Sequence, residues 1–365
     1  MGAGMDPCAS GKDSRRLASA SRRLSAIILV ACLPPLHQYV MSETEEEADL
    51  EIQEAGPPTQ EELETPHRAK LKELLANTKL PGGDKDRVEA ALAKYTAWVH
   101  AMAALKSKGD TRVGELVSLL NDYKYYIEFE LIFDSPNDFL YRQSGQLKVS
   151  SSIIEEFLPR LVTPDVLPQL KGIEYWAGPQ TAFAAAIFMG ALTAPQRGAG
   201  LQLRTKDQDF TIGRTAYLRA SFRENFPSDE SITERVYLAY VAAECKTNLD
   251  KTMFQEAAAT AHDLRIAVPG SHYFLLCEWL DMLPISTAGT DIDEAIILRG
   301  KRISSNVRKK YADAAGRKAD REAYSKRLKA HPVRLDRVMR FVNKLRDLLA
   351  VKDEPEAQVL ERGYF

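Results

Sequence analysis

Two ionisable residues at the end of an apolar segment are the strongest candidates for catalytic residues in the sequence. The apolar run 236–243 predicts a buried strand, and Glu244 and Lys246 close it. Residues i and i+2 of a strand point to the same face, so this carboxylate and this ammonium should lie side by side, with Cys245 turned into the packing. A carboxylate can hold a divalent cation and an ammonium can orient a water molecule. The pair would therefore suit metal-assisted phosphodiester hydrolysis.

The same two residues could instead form an ordinary ion pair at a strand end. Three-residue matches of this type arise by chance, and the chain has another, Asp122-Tyr-Lys124, within a predicted helix. The surroundings of Glu244 favour the catalytic interpretation. A helix beginning near Asp250 and a second apolar strand, 273–277, follow it, and this order predicts a crossover unit of a sheet packed by helices. Gln255 lies on that helix and is a candidate supporting group.

A cation site at Glu244 needs a second carboxylate. Asp209 is the first candidate, because it precedes the apolar residues Phe-Thr-Ile on a segment expected beside the Glu244 strand. Asp229 and Glu234 are alternatives, although the sequence PSDES around Asp229 is typical of a surface turn. Asp209 could likewise be only a turn residue. Mg²⁺ prefers oxygen ligands and keeps several waters, so two carboxylates and a phosphate are sufficient.

Charge is distributed unevenly along the 365 residues, although the net charge is only −2. Residues 41–66 contain ten acidic residues and no basic one, whereas residues 299–349 contain seventeen Lys or Arg against five Asp or Glu. The basic segment suggests a polyanionic partner, for which nucleic acid is the simplest candidate. A solvated helix surface is the alternative explanation.

The four cysteines show no metal-binding or disulfide pattern. Cys245 and Cys277 lie in apolar strand patterns, where reduced core cysteines are expected. This usage argues against a disulfide scaffold or structural zinc and favours a reducing compartment, so we expect a cytoplasmic protein.

The first forty residues resemble a short secretion signal, with a run of about seven apolar residues ending at Cys32. That run is too short to cross a membrane. Because an acidic sequence opens at Met41, we expect residues 1–40 to be upstream sequence from a mis-chosen start codon. No other segment predicts a membrane span.

The residues from 67 to 162 predict helices. Apolar positions at spacings of three and four mark helices at 86–105 and 113–133. Ser152 and Glu155 have the spacing of a capping box for a helix ending before Pro159. The preceding polar stretch has no periodicity and contains side chains that reach bases and phosphates, so it is a candidate DNA-contact segment, with Arg142, Gln143, Gln146 and Lys148 as the contacts.

The segment 178–278 predicts the sheet. We expect an alanine-rich helix at 180–192, a hairpin or meander formed by 206–213 and 217–222, the Glu244 strand, a helix and a further strand. Residues 295–298 predict one more strand. An amphipathic helix at 333–349 ends the basic region, in which Arg299 and Lys301 are further DNA-contact candidates chosen from composition.

These residues resemble a known family. Asp209 with Glu244-Cys-Lys246 is similar to the PD-(D/E)xK nuclease signature, without its proline, and the separation of the two carboxylates is longer than usual. The strings NDFLYRQSGQLKVSSSIIEEFLP, KDQDFTIGR, AECKTNLDKTMFQEA and FLLCEWLDM resemble type II restriction endonucleases of the Bpu/BbvCI kind, over about residues 70–310.

The resemblance implies a function and a fold. It implies Mg²⁺ bound by Asp209, Glu244 and the Cys245 backbone carbonyl, a water activated by Lys246, and cleavage of double-stranded DNA at a specific sequence to leave 5′ phosphates. It also implies a second endonuclease subunit, in a homodimer or a heterodimer, and a cognate DNA methyltransferase. The expected fold is α/β (α+β), with a restriction-endonuclease-like mixed sheet flanked by helices.

We therefore expect four regions: an acidic tail and leader at 1–66, a helical region at 67–162, the nuclease core at 163–300 and a basic helical region at 301–365. Three other functions remain open. A lipid-anchored envelope protein is suggested only by residues 29–32 and fails if the mature protein starts at Met41. A non-specific or repair nuclease would share the site and cut without sequence preference. A non-catalytic DNA-binding protein would explain the basic region but not the polar pair that closes a buried strand.

Overall fold

The computed structural model describes residues 65–350 and 356–363. The expected leader and acidic tail therefore lie outside the described residues, apart from Thr65 and Pro66. Five helices come first, and a π-helical segment, Tyr126–Phe133, extends the third of them. They are α1 (Pro66–Ala76), α2 (Gly82–Ala104), α3 (Gly109–Tyr125), α4 (Phe139–Leu147) and α5 (Ser152–Leu161).

The sheet follows, and five short helices complete the described chain. The strands and the crossover helix are β1 (Trp176–Phe188), β2 (Leu201–Ala220), β3 (Ile232–Leu249), α6 (Lys251–Ala267), β4 (His272–Leu280) and β5 (Glu294–Lys301). The last helices are α7 (Ser305–Lys310), α8 (Ala314–Ala319), α9 (Arg321–Ala330), α10 (Leu335–Ala350) and α11 (Glu356–Arg362). Short 3₁₀ turns lie at Pro168–Leu170 and Arg197–Gly200.

The five strands form one mixed sheet in chain order. The pairs β1–β2 and β2–β3 are antiparallel, whereas β3–β4 and β4–β5 are parallel. Parallel neighbours need a crossover, and α6 supplies it between β3 and β4. The Asp250 side chain caps α6 by accepting a hydrogen bond from the Met253 backbone N–H at 2.9 Å. The predicted mixed sheet flanked by helices is confirmed.

Helices cover both faces of the sheet. Alternate β3 residues, such as Ala243 and Cys245, and alternate β4 residues, such as Phe274, join the apolar side chains of α1–α3, α5 and α10 in one continuous cluster. The intervening residues, such as Leu275, pack under α6 on the opposite face. Burial on both faces explains why these strands read as unbroken apolar runs in the sequence.

Five local predictions are wrong. The alanine-rich segment 180–192 is mostly strand β1, because pairing with β2 and the alternate burial of Ala182 and Ala184 outweigh the helix preference of alanine. The predicted hairpin strands 206–213 and 217–222 lie largely on the single strand β2, with a register shift between Ile212 and Gly213.

The other three corrections concern α4 and α5. The polar stretch from 141 is helical as far as 147 rather than irregular. Ser152 is the first residue of α5 instead of its cap, and its hydroxyl lies 2.9 Å from Nδ1 of His67. α5 continues through Pro159, because a proline in the last turn removes only one hydrogen bond, to the carbonyl of Glu155.

Candidate active site

The strands β2 and β3 separate at the candidate site. Their pairing runs from Ala220↔Ile232 to Phe210↔Ala243, with one register shift between Ile212 and Gly213. Beyond that point β2 continues beside β1, whereas β3 continues beside β4, with Glu244 paired to Leu275. Asp209 and Glu244 are the first residues past the last β2–β3 pair. The strand register therefore brings these two carboxylates to one fork in the sheet.

A hydrogen bond across this fork fixes Asp209. The Cys245 backbone N–H donates to Oδ2 of Asp209 at 2.8 Å, so the carboxylate takes the place of a strand partner. The Cys245 side chain is a buried free thiol on the face of the helical layer. In a strand, the N–H and C=O of one residue leave the same edge. The Cys245 carbonyl therefore also faces the fork.

Glu244 and Lys246 lie on the same face, as predicted. Nζ of Lys246 is 2.5 Å from Oε1 of Glu244, and the Tyr273 hydroxyl donates to Oε2 at 3.0 Å. Burial lowers the pKa of Lys246, but its hydrogen bond to Glu244 and the charge of Glu244 outweigh that effect and raise the pKa. Lys246 is therefore a fully charged ammonium beside the carboxylate.

Glu155 is a further carboxylate that acts on the site. Burial, followed by repulsion from Asp209, raises the pKa of Glu155 to about 7. Burial also raises the pKa of Asp209, and the negative charge of Glu244 raises it further. The hydrogen bond from the Cys245 N–H and the positive charge of Lys148 lower it, but they do not outweigh these effects. Two half-buried carboxylates that repel each other are typical of a site that accepts a cation.

Sequence reasoning missed Glu155 because its spacing from Ser152 matched a helix cap. Ile153, Ile154, Phe157 and Leu158 surround Glu155 in the first two turns of α5, and these apolar neighbours were the available signal. A carboxylate in such a segment needs a reason for its burial. Tyr273 was also missed, since a tyrosine in an apolar strand looks like ordinary core.

The described residues contain no group of three or more His, Cys, Asp or Glu side chains that could hold a metal ion. The donors at the fork are nevertheless oxygen atoms, and burial, with a smaller contribution from the charge of Glu244, raises the pKa of the Asp209 carboxyl. A hard cation that keeps several waters fits such an open, oxygen-only set.

The alternatives to Asp209 lie elsewhere. Asp229 is exposed in the β2–β3 connection. Glu234 is opposite Leu218, ten residues along β3 from Glu244, which corresponds to about 33 Å in an extended strand. Gln255 is exposed on the second turn of α6, next to Glu256, whose charge contributes to the raised pKa of Lys246.

The DNA-contact candidates on α4 are exposed to different degrees. Arg142, Gln146 and Lys148 are exposed, and Gln143 is half-buried. Arg142 donates from Nε to the Ala312 carbonyl at 2.7 Å. Lys148 ends α4 in a left-handed conformation with φ 50°, and its charge lowers the pKa of both Asp209 and Glu155.

Arg299 is buried in an ion-pair network inside the protein. It is 4% exposed, and its Nη1 lies 2.6 Å from Glu128 and 3.6 Å from Glu278. Lys124 contacts the same two carboxylates at 3.1 Å and 2.8 Å. Because this buried network already pairs its charge, Arg299 is withdrawn as a DNA-contact candidate. The neighbouring Lys301 is exposed at the end of β5.

Comparison with known proteins found similarity to a family model and to a solved structure. The family model described as Bpu10I restriction endonuclease matches residues 146–365. Among solved structures, a chain of the "native BbvCI A2B2 tetramer at low resolution" is similar, with 21% identity and a TM-score of 0.48. The match covers 72% of this chain and 96% of that chain. No curated protein matches the sequence.

The class of protein follows from the family match, which includes Asp209, Glu244 and Lys246: the chain is a restriction endonuclease, a site-specific deoxyribonuclease. It belongs to the Bpu10I restriction endonuclease family, which confirms the resemblance found in the sequence. Within the described residues, no helix has both the length and the apolar character needed to cross a membrane.

Proposed function

We propose that the protein is a type II restriction endonuclease, or one subunit of it, that hydrolyses phosphodiester bonds at a specific double-stranded DNA sequence in the presence of Mg²⁺ and leaves 5′ phosphates. The fork between β2 and β3 is the observation that supports this proposal most strongly. There, two carboxylates from different strands lie with one ammonium, and the charge of the exposed Lys148 acts on Asp209.

Asp209, Glu244 and the Cys245 carbonyl are the proposed Mg²⁺ ligands. The ion would supply Lewis-acid stabilisation of the charge that develops on the phosphate. Asp209 is held in place by the Cys245 N–H, and that carbonyl leaves the same strand edge. Glu155 adds negative charge next to Asp209 and favours cation binding at this position.

Lys246 is the residue that we assign to the attacking water. Its ammonium is charged and lies on the same face as Glu244, from which it can donate a hydrogen bond to the water and orient it towards phosphorus. The water attacks phosphorus and the bond to the 3′ oxygen breaks, so the phosphate stays on the 5′ end of the other fragment. Gln255 remains a proposed supporting group, although it is exposed on α6.

The proposed DNA surface consists of α4 and the end of β5. Its proposed contacts are Arg142, Gln143, Gln146 and Lys148 in and just after α4, and Lys301 at the end of β5. Lys148 links this surface to the cleavage site, since its charge acts on both Asp209 and Glu155. The four sequence-defined regions are retained as a proposed organisation, with 163–300 as the nuclease core.

Partners follow from the chemistry of the reaction. One centre cleaves one strand, so we propose that a second endonuclease subunit, identical or different, cuts the other. Sequence-specific cleavage would also damage the DNA of the host cell. We therefore propose a cognate DNA methyltransferase and a cytoplasmic location with access to that DNA.

Incubation of plasmid DNA with the purified 41–365 protein, with and without Mg²⁺, tests the function. Discrete Mg²⁺-dependent fragments are expected from a homodimer, and a nick at one position is expected from a single subunit of a heterodimer. A smear of fragments would favour a non-specific nuclease instead. Intact DNA, even after addition of the product of a neighbouring reading frame, would contradict nuclease activity and favour a DNA-binding protein.

A further inference from the structure

The hydroxyl of Tyr273 reaches the carboxylate of Glu244 from the adjacent strand. Tyr273 is the second residue of β4 and is 3% exposed. Its ring packs in the apolar cluster beneath α6, and its hydroxyl donates to Oε2 of Glu244 at 3.0 Å. Most of this side chain is core, but its polar end contacts the proposed metal ligand.

The strand register explains this contact. Glu244 pairs with Leu275 across the parallel β3–β4 ladder. Tyr273 precedes Leu275 by two residues on the same face, so Tyr273 and Glu244 are diagonal neighbours, within reach of a long aromatic side chain.

The backbone of Tyr273 is also fixed. Its N–H donates to Oδ2 of Asp293 at 2.7 Å, and its carbonyl accepts from the Asp293 N–H at 2.9 Å. The Asp293 carboxylate contacts His272 at 2.9 Å and Arg265 at 3.1 Å as well. Burial, together with the charge of Glu244, raises the pKa of the Tyr273 phenol, so it remains a hydrogen-bond donor at neutral pH.

Both oxygens of Glu244 are thus engaged, but by groups of different mobility. Tyr273 is a rigid donor on a buried strand, whereas Lys246 is a half-buried side chain with a flexible stem. A cation that ligates Glu244 can displace an ammonium, which carries the same sign of charge, more readily than it can displace a fixed phenol.

We propose that Tyr273 is a positioning residue that holds Oε2 of Glu244 and leaves Oε1 as the atom offered to the cation. Lys246 occupies Oε1 in the metal-free protein and leaves it when a cation binds, which turns the ammonium to the attacking water. This inference rests on the proposed function of Glu244 as a metal ligand. It adds that the cation replaces the Lys246 ammonium at Oε1 of Glu244, so that metal binding and the release of Lys246 are the same event.

Direct Mn²⁺ binding to the full chain, measured from the electron paramagnetic resonance signal of free Mn²⁺, tests the inference. Tyr273→Phe keeps the ring and removes only the hydroxyl. Loss of such a supporting hydrogen bond weakens metal sites about 10- to 100-fold, and we expect the Mn²⁺ dissociation constant to rise by about 10-fold. The rate of DNA cleavage at saturating Mn²⁺ should stay close to that of the wild type.

Tyr237→Phe is the matched control. Tyr237 is also a buried strand tyrosine, and its hydroxyl donates to the Trp176 carbonyl at 3.0 Å rather than to a carboxylate. This variant should bind Mn²⁺ as the wild type does. A merely structural role for buried tyrosine hydroxyls would instead lower the thermal midpoint of both variants and leave Mn²⁺ binding unchanged in both.

Glu244→Gln separates failure of this inference from failure of the proposed function. Loss of Mn²⁺ binding in Glu244→Gln, combined with wild-type binding in Tyr273→Phe, would overturn only the role of Tyr273. Wild-type Mn²⁺ binding in Glu244→Gln would overturn the metal site itself. If Tyr273→Phe does not fold, Tyr273→Met removes the same hydroxyl with a more adaptable side chain, and the same outcomes apply.

Discussion

The Asp209 carboxylate accepts a 2.8 Å hydrogen bond from the Cys245 backbone N–H at the point where β2 and β3 part. This bond joins two residues that are 36 positions apart in the sequence. It places a carboxylate from β2 directly against the segment of β3 that carries Glu244 and Lys246. The separation of the two strands therefore creates the candidate active site.

Asp209→Asn should abolish most cleavage. The amide keeps the shape of the side chain but removes the negative charge that the proposed cation needs. Metal stabilisation is worth several kcal/mol, which corresponds to a loss of roughly 1000-fold in cleavage rate. Asp229→Asn is the matched control in the exposed β2–β3 connection and should cleave normally. Equal losses in the two variants, measured as single-turnover rates, would remove Asp209 from the site.

Glu155 should make the free energy of unfolding of the metal-free protein decrease as pH rises. Its pKa is about 7 in the folded protein and 4.5 ordinarily, so between these values the native state retains a proton that the unfolded chain has released. Stability must therefore fall as pH rises from about 4.5 to 7.

Glu155→Gln stays neutral and should lose this component. We expect the variant to match the wild type near pH 4 and to be more stable near pH 8, by on the order of 1–3 kcal/mol, in thermal unfolding with EDTA present. Glu89→Gln, exposed on α2, is the control and should follow the wild type. Parallel pH profiles for Glu155→Gln and the wild type would show that burial and the charge of Asp209 do not raise the pKa of Glu155.

Arg299 should contribute to stability rather than to DNA binding. Arg299→Met removes one of the two cations that neutralise Glu128 and Glu278, and breaking a buried ion pair costs about 3–5 kcal/mol. Thermal unfolding should show a clearly lowered midpoint. Lys301→Met, two residues away and exposed, should unfold as the wild type does. A stable Arg299→Met protein with weakened DNA binding would restore Arg299 to the DNA surface.

Lys148 should contribute one phosphate contact. Lys148→Ala is expected to lower the slope of log affinity against log salt by about 1, measured on uncleaved DNA in EDTA. Lys79→Ala, exposed between α1 and α2, serves as the control for loss of one surface charge. If both variants changed the slope equally, the effect would be a general one of net charge and would not locate the DNA.

The sequence predicted the parts of the site that lie on regular strands. The apolar run before Glu244 fixes a buried strand, and the period of two along that strand places Glu244 and Lys246 on one face. The following helix and strand then define a parallel crossover. All of these inferences depend on local pattern, and the structure has each of them.

The site contacts of Glu155 and Tyr273 could not be predicted, because the local sequence pattern does not show which strands and helices become neighbours. The contact of Tyr273 with Glu244 comes from the β3–β4 register, and the effect of Asp209 on Glu155 comes from packing of α5 against the sheet. The error at β1 has the same origin. Its alanines have a helical preference that only the pairing partner β2 overrides.

Lys246→Ala tests the central claim most directly, because DNA binding and DNA cleavage can be measured on the same variant. A residue that acts on the attacking water, and not in docking, should be needed for cleavage alone. We expect Lys246→Ala to bind the target DNA with nearly wild-type affinity and to leave it uncut in Mg²⁺. Cleavage at the wild-type rate, or equal losses of binding and cleavage, would contradict the assignment of Lys246 and with it the proposed active site.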